Sequence, residues 1–153
     1  MTLAVVTDSA AFLPPALAAE RGIGVVELHA IEGDDGATTA RPSVAELAEV
    51  YEAALSRADE VLALHLTAVL SGTIDNARLA AARFGGRVRV LDLGVSAGAL
   101  GLAALAAADA DDARRGSARA RDSASRSRLF FLVDSLSQDR KSTRLNSSHM
   151  TAS

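Results

Sequence analysis

The stretch Val61-Leu62-Ala63-Leu64-His65-Leu66, followed by Leu70-Ser71-Gly72-Thr73, decides the fold. The apolar run predicts a buried β-strand, and the alanine-rich residues Ile74–Phe84 predict a helix directly after the turn. The turn supplies two hydroxyls, a glycine and the free amides of a helix start, a combination that suits a negatively charged oxygen group. We therefore expect the function of the protein at this turn.

The same alternation of strand and helix signals runs through most of the chain. The predicted strands are Leu3–Thr7, Gly24–Leu28, Val61–Leu66, Arg87–Leu91 and Leu129–Val133, and the predicted helices are Ala16–Arg21, Val44–Arg57, Ile74–Phe84 and Ala97–Ala108. Residues 30–41 and the stretch between Ala108 and Arg128 are predicted to be polar connections. Strands that alternate with helices through short links predict an α/β fold with a mostly parallel sheet flanked by helices.

Composition excludes several classes of function. The chain has no cysteine, which excludes disulfides and thiolate metal sites, and its net charge of −3 argues against nucleic acid as a partner. A phosphate-binding loop with its lysine and a Gly-x-Ser-x-Gly hydrolase turn are both missing from the sequence. The start of the chain lacks a signal-peptide pattern and the longest apolar run is too short for a transmembrane helix, so we expect a cytoplasmic protein.

Three hydroxyl-bearing segments are the candidate binding residues. Ligands of parallel sheets gather at the carboxyl ends of the strands, where Thr7-Asp8-Ser9 and Ser71-Gly72-Thr73 follow predicted strands. The third segment, Thr38-Thr39, precedes Pro42. Hydroxyls and amides converging at one edge would form a cradle for a carboxylate, and Arg41 could add a bidentate partner.

Each segment also has an ordinary structural interpretation. Ser71 could only cap its helix, Thr7-Asp8-Ser9 could be a turn, and Thr38-Thr39 could be loop residues. An alternative function is a small α/β enzyme that uses the Ser71 turn for acyl or phosphoryl chemistry, with His65 as its base, although a histidine inside a strand is more simply a structural residue. A third interpretation is a structural remnant without activity, which exposed apolar surface and aggregation would support.

Taken together and in this order, the three segments resemble the DegV family of bacterial fatty-acid-binding proteins. The first resemblance is Val6-Thr7-Asp8-Ser9 with Leu13-Pro14, and the second is Thr38–Ser43, which is similar to Thr-Thr-Ser-Gln/Arg-Pro-Ser. The third is Leu70–Thr73 followed by Ala77–Ala81. Arg87–Asp92 and Ser96–Gly101 resemble later family motifs, and Arg128–Phe131 resembles the family's strand into the second domain, so that the likeness covers about residues 3 to 134.

The resemblance implies the N-terminal α/β domain of a two-domain carrier that holds one long-chain fatty acid and presents its carboxylate to a fatty acid kinase. By that match Thr39 and Ser71 contact the head group, and Gly72 and Thr73 shape the turn. The supporting residues are Thr7, Asp8, Ser9, Thr38 and Arg41. The resemblance implies no catalysis by the chain itself and no cofactor other than the fatty-acid ligand.

The chain departs from the family pattern in several places. Ala40 replaces the usual serine, and the segments before Thr38 and after Ala108 are short. Residues Asp139–His149 match the translation of a sequencing-library adapter, so residues 1–138 are predicted to be the native domain and residues 139–153 a foreign, disordered tail. The second domain would then be missing, and we expect the fragment to bind fatty acid poorly because half of the apolar enclosure is absent.

Overall fold

The computed structural model describes residues 1–34 and 36–117. In chain order the elements are β1 (Leu3–Asp8), α1 (Pro15–Glu20), β2 (Gly24–Val26), β3 (His29–Gly33), β4 (Gly36–Ala40), α2 (Val44–Leu55), β5 (Glu60–Leu64), α3 (Thr73–Ala81), β6 (Val88–Leu91) and α4 (Ala97–Ser117), with short 3-10 turns at Ser9–Ala11 and Ala82–Phe84. The helices and strands predicted within these ranges are present, with ends shifted by a few residues except for α4, which extends well beyond its predicted end.

Four strands form the main sheet, in the order β2-β1-β5-β6, and every neighbouring pair is parallel. Val6 lies opposite Gly24 on one side and Ala63 on the other, so that β1 and β5 are the central strands. The predicted α/β fold with a mostly parallel sheet is confirmed. Because the strands are parallel, the residues that follow β1, β5 and β6 meet at one edge, which we call the carboxyl edge.

The sheet separates two apolar cores, as the alternation of side chains along a strand requires. Leu3 and Val5 of β1 face the core beneath α1 and α4, whereas Ala4 and Val6 face the core beneath α2 and α3. Helices α3 and α4 contribute mainly alanines, which allow the helix backbone to approach closely. Gly101 of α4 is the extreme case, since a Cβ at that position would lie 2.5 Å from the carbonyl oxygen of Ala11.

Residues 30–41, predicted to be a polar loop, instead form most of an antiparallel hairpin, and this prediction was wrong. Strands β3 and β4 pair from His29 opposite Ala40 to Gly33 opposite Gly36. The hairpin is held by backbone hydrogen bonds, for which the side-chain pattern gives no apolar signal. The turn signal was nevertheless present, because glycines flank two aspartates between the strands.

The helix starts follow local rules more closely than the helix ends do. Ser43 and Glu46 form the predicted capping box at the start of α2.

Helix α4 extends to Ser117, although a polar connection was predicted after Ala108. The buried carboxylate of Asp111 accepts a hydrogen bond from Nε of Arg115 (2.6 Å), which lets these charged residues continue the helix. The predicted strand 129–133 and the segment 139–153 lie outside the described residues.

A search of the described residues for a helix long and apolar enough to cross a membrane found none.

Candidate functional site

The Ser71 turn lies at the carboxyl edge, directly before α3. Oγ of Ser71 accepts a hydrogen bond from the amide of Thr73 (3.2 Å) and lies 2.8 Å from Oγ1 of Thr73. Ser71 therefore does support its own helix start, as the structural interpretation expected. When Thr73 donates to Ser71 in this pair, the hydroxyl hydrogen of Ser71 remains free to donate to a ligand.

Arg41 lies directly beside this turn. Its Nη1 occupies the space that a Cβ on Gly72 would need, so the guanidinium packs over the glycine backbone. Within residues 1–34 and 36–117 the exposed Arg41 has no hydrogen-bond or ion-pair partner, and the amide of Gly72 has no acceptor. Nδ2 of Asn76, in the first turn of α3, donates to the carbonyl of Pro42 (2.9 Å). The backbone of the Thr38–Ser43 stretch and the Ser71 turn are thus brought together.

Thr38 and Thr39 lie within β4 and not in a loop. Thr39 is opposite Ala30 and Thr38 is opposite Ile31 in the hairpin. Their side chains lie outside what the structure describes, so the predicted contact of Thr39 with a head group stays a prediction. The backbone connects them to Arg41 through one residue, Ala40.

The hydroxyls of Thr7 and Ser9 face other parts of the protein and not the solvent at the carboxyl edge. Oγ of Ser9 accepts a hydrogen bond from the amide of Leu28 (2.9 Å), which ties the end of β1 to the chain beyond β2. Thr7 is fully buried, and its Oγ1 has no hydrogen-bond partner among the described groups. By strand alternation Thr7 shares a face with Leu3 and Val5, beneath α1 and α4.

Both carboxylate oxygens of Asp8 accept hydrogen bonds at the carboxyl edge. Its Oδ1 accepts from the amide of Ala10 (3.0 Å), and its Oδ2 accepts from the amide of Leu66 (2.7 Å). Nδ1 of His65 lies 3.2 Å from the same Oδ2. Although Asp8 is completely buried, these partners compensate its carboxylate for the loss of water.

Tyr51 of α2 completes a buried chain of hydrogen bonds with His65 and Asp8. Its hydroxyl lies 2.8 Å from Nε2 of His65. Burial raises the pKa of Tyr51, and the negative charge of Asp8 raises it further, so the phenol keeps its proton. In the neutral imidazole, Nδ1 then donates to Asp8 and Nε2 accepts from Tyr51.

His65 is a structural residue in this arrangement, as the sequence analysis expected. It is only 1% exposed, and both ring nitrogens have partners. Neither nitrogen is left to act as a base for Ser71. The alternative enzyme, which required His65 in that role, finds no support in this geometry.

Sequence reasoning missed two residues that hold the site. Tyr51 of α2 is part of no recognisable motif, so the sequence alone gave no reason to single it out. Asp92 follows β6, and its carboxylate accepts from the amides of Ala68 (3.1 Å) and Gly94 (2.9 Å). An aspartate at the carboxyl end of a parallel strand, as Asp8 is in β1, was the signal that could have revealed Asp92.

The described part of the chain contains no group of three His, Asp or Glu side chains that could hold a metal ion. The donors at the Ser71 turn are hydroxyl, amide and guanidinium groups, and these bind anions.

Comparison with known proteins gives the family. The family described as "Uncharacterised protein, DegV family" matches residues 30–151. A DegV domain-containing protein of Deinococcus radiodurans is 41% identical over 131 residues, which cover 71% of this chain and 47% of that protein. The matched family range runs into residues 139–151, and the assignment of that segment to an adapter stays a prediction.

Solved structures show the same relationship. The crystal structure of a DegV family protein from Corynebacterium glutamicum has a TM-score of 0.68 and 39% identity, over 72% of this chain and 43% of that one. A DegV family protein from Thermus thermophilus, whose structure is described by its fatty acid binding, has a TM-score of 0.74 and 29% identity, over 90% of this chain and 54% of that one. This chain spans about half the length of these relatives. It belongs to the DegV family.

Proposed function

We propose that this chain carries the head-group half of a fatty-acid-binding site, in which the Ser71 turn receives the acyl carboxylate. The observation that carries the proposal is the guanidinium of Arg41, which has no partner among the described residues and lies over Gly72, next to Ser71 in the chain. A cation without an ion-pair partner in the described chain, placed against a helix start with a free amide, is arranged for an anion. The fatty acid binding described for the Thermus thermophilus relative supports a carboxylate as that anion.

The donors match the needs of a carboxylate. Arg41 can take both oxygens through its planar fork, which is the strongest pairing that a carboxylate forms with a side chain. The hydroxyl of Ser71 and the amide of Gly72 can each donate a further hydrogen bond to the carboxylate. The dipole at the start of α3 also favours its negative charge. Thr39, two residues before Arg41 in the sequence, is proposed as a further hydroxyl donor.

Apolar surface lies next to this turn and suits an acyl chain. Val69 and Leu70 precede Ser71 and are 72% and 65% exposed. Phe12, in the loop after the neighbouring strand β1, is 76% exposed. These three exposed side chains belong to segments that follow the adjacent strands β1 and β5 at the carboxyl edge. The tail of the ligand can leave water by packing along them.

We further propose that these 153 residues, taken alone, bind fatty acid weakly. The relatives are about twice as long, and a fatty-acid tail needs apolar walls on all sides to leave water completely. We therefore propose that the chain recognises the head group but holds the tail poorly. Tight, saturable palmitate binding by residues 1–138 alone would contradict this part of the proposal.

The role in the cell is proposed from the family resemblance. A carrier that exposes an acyl carboxylate at a turn can present it to a fatty acid kinase, which forms the acyl-phosphate. The carrier performs no chemistry itself, in keeping with the engaged ring nitrogens of His65. Because the kinase needs ATP, the pair would work in the cytoplasm.

The test is a titration of the 15N-labelled chain with octanoate, a soluble fatty acid, followed by NMR. We expect the amide signals of Gly72, Thr73 and Ile74 to move, and we expect Ser71→Ala to reduce the affinity. Ser56→Ala is the control, because Ser56 lies directly after the last residue of α2 and its hydroxyl donates only to the carbonyl of Ala53 among the described residues. Equal affinities of the Ser71 and Ser56 variants would contradict the proposed role of the hydroxyl.

A further inference from the structure

The loop that carries Ser71 follows β5, and residues at the ends of both neighbouring strands, β1 and β6, accept hydrogen bonds from it. We call residues 66–72, between β5 and α3, the Ser71 loop. Its first three amides each donate to a group on a neighbouring segment of the carboxyl edge. The acceptors are Oδ2 of Asp8 for Leu66 (2.7 Å), the carbonyl of Val95 for Thr67 (3.3 Å), and Oδ2 of Asp92 for Ala68 (3.1 Å).

Thr67 connects the anchored start of the loop to Ser71 through backbone hydrogen bonds. Its carbonyl accepts from the amides of Leu70 (3.0 Å) and Ser71 (3.2 Å), and its hydroxyl oxygen lies 3.4 Å from the amide of Val69. Thr67 is buried, whereas Ala68, Val69 and Leu70, which follow it, are exposed. The far half of the loop therefore folds around Thr67, and the position of Ser71 depends on where Thr67 is held.

The two carboxylates act as a symmetric pair. Asp8 is the last residue of β1 and Asp92 directly follows β6, and these strands flank β5 in the sheet. Each carboxylate uses its second oxygen to hold its own turn, through the amide of Ala10 for Asp8 and of Gly94 for Asp92. Hydrogen bonds to a charged acceptor are about twice as strong as neutral ones. Each aspartate thus bridges its own turn to the Ser71 loop.

We infer that Asp8 and Asp92 are positioning residues for the carboxylate site, which set the place of the Ser71 hydroxyl and the Gly72 amide through the backbone of the loop. The inference rests on the proposed function, since it concerns the same site. Binding by Ser71, Gly72 and Arg41 together requires the turn to stay in register with Arg41, which belongs to another segment. Loss of either carboxylate removes one side of the support.

The experiment compares Asp92→Ala and Asp92→Asn with Asp59→Ala in the full chain. Asp59 is the matched control, because its carboxylate also accepts a backbone amide, that of Thr2 (2.7 Å), but at the opposite edge of the sheet. We expect Asp92→Ala to weaken octanoate binding by roughly fivefold, as in coupled networks. Asp92→Asn keeps one acceptor oxygen, so its octanoate affinity should lie between those of Asp92→Ala and the wild type. Asp59→Ala should lose stability without a change in octanoate affinity.

Two readouts keep the inference and the proposed function separate. If octanoate moves no amide signal of the Ser71 turn in the wild type, the proposed function is wrong. Amide hydrogen exchange then still decides the positioning role, since Asp92→Ala should accelerate exchange at Leu70 and Ser71 and Asp59→Ala should not. Unchanged exchange at these two amides, or an octanoate affinity that falls equally in the Asp59 control, would overturn the inference.

Discussion

The guanidinium of Arg41 lies over the α-carbon of Gly72, in the space that any other residue at position 72 would fill with its Cβ. The glycine is not required by its backbone conformation, because its φ of −76° is accessible to every residue. The absence of a side chain at this position therefore serves the contact with Arg41. This relationship joins two segments that lie about thirty residues apart in the sequence.

Gly72→Ala should displace Arg41 without disturbing the fold. The added methyl group forces the guanidinium away from the turn, and we expect octanoate affinity to fall by roughly tenfold through loss of a charged hydrogen bond. NMR titration measures the affinity and urea unfolding measures the stability. Gly98→Ala is the control, since a Cβ at Gly98 meets nothing within 4 Å. If the two variants bind octanoate equally well, Arg41 has no role in the site.

Tyr51→Phe should destabilise the protein by about 1–2 kcal/mol, because it leaves Nε2 of His65 buried without a partner. The phenyl ring retains the edge-on packing against Phe84, with the two ring centroids 6.4 Å apart. Urea unfolding measures the change in the free energy of unfolding. The long-range 15N spectrum of His65 provides a second readout, since the hydrogen bond from Tyr51 favours the Nδ1–H tautomer. Unchanged stability and an unchanged tautomer would show that the hydrogen bond is unimportant.

Thr7→Val should stabilise the protein by about 1 kcal/mol, because it replaces a buried hydroxyl that lacks a partner among the described groups. The matched control is Thr73→Val, which removes an equally buried hydroxyl that is bonded to Ser71 and should lower the stability. Octanoate affinity should not change in the Thr7 variant. A loss of affinity there would instead place the Thr7 hydroxyl in the binding site, as the family resemblance implies.

The sequence was sufficient for the parts of the fold that rest on local patterns. Apolar runs such as Val61–Leu64 located the parallel strands, and Ser43 with Glu46 located the start of α2. The hairpin of β3 and β4 could not be found in this way, because backbone pairing holds it and its side chains show no alternation of apolar residues. The continuation of α4 depends on Asp111, whose burial beside Arg115 is a tertiary property.

The candidate site was predicted only in part, for a related reason. Hydroxyls after two strands were expected at one edge from the rule for parallel sheets, and they are there. The contact of Arg41 with Gly72 and the bonds from Asp8 and Asp92 to the Ser71 loop join residues that are distant in the sequence. Such contacts leave no spacing pattern in one sequence, and they follow only from the order β2-β1-β5-β6 of the sheet.

Glu46→Gln should remove a pH-dependent contribution to stability at the start of α2. The backbone amide of Ser43, the hydroxyl of Ser43 and the ring of His29 together lower the pKa of Glu46 from 4.5 to about 2, and the backbone amide has the largest effect. Because the folded pKa is below the unfolded one, the stabilisation is fully present above pH 4.5 and is lost as the pH falls toward 2. Urea unfolding of the wild type and the variant at several pH values measures the difference, which should be largest above pH 4.5 and shrink on acidification. His29→Gln is the control for the smaller contribution of the imidazole, whose Nε2 lies 2.6 Å from Oε1 of Glu46. A difference that stays constant from pH 6 to 2 would mean that the charge of Glu46 does not stabilise the capping box.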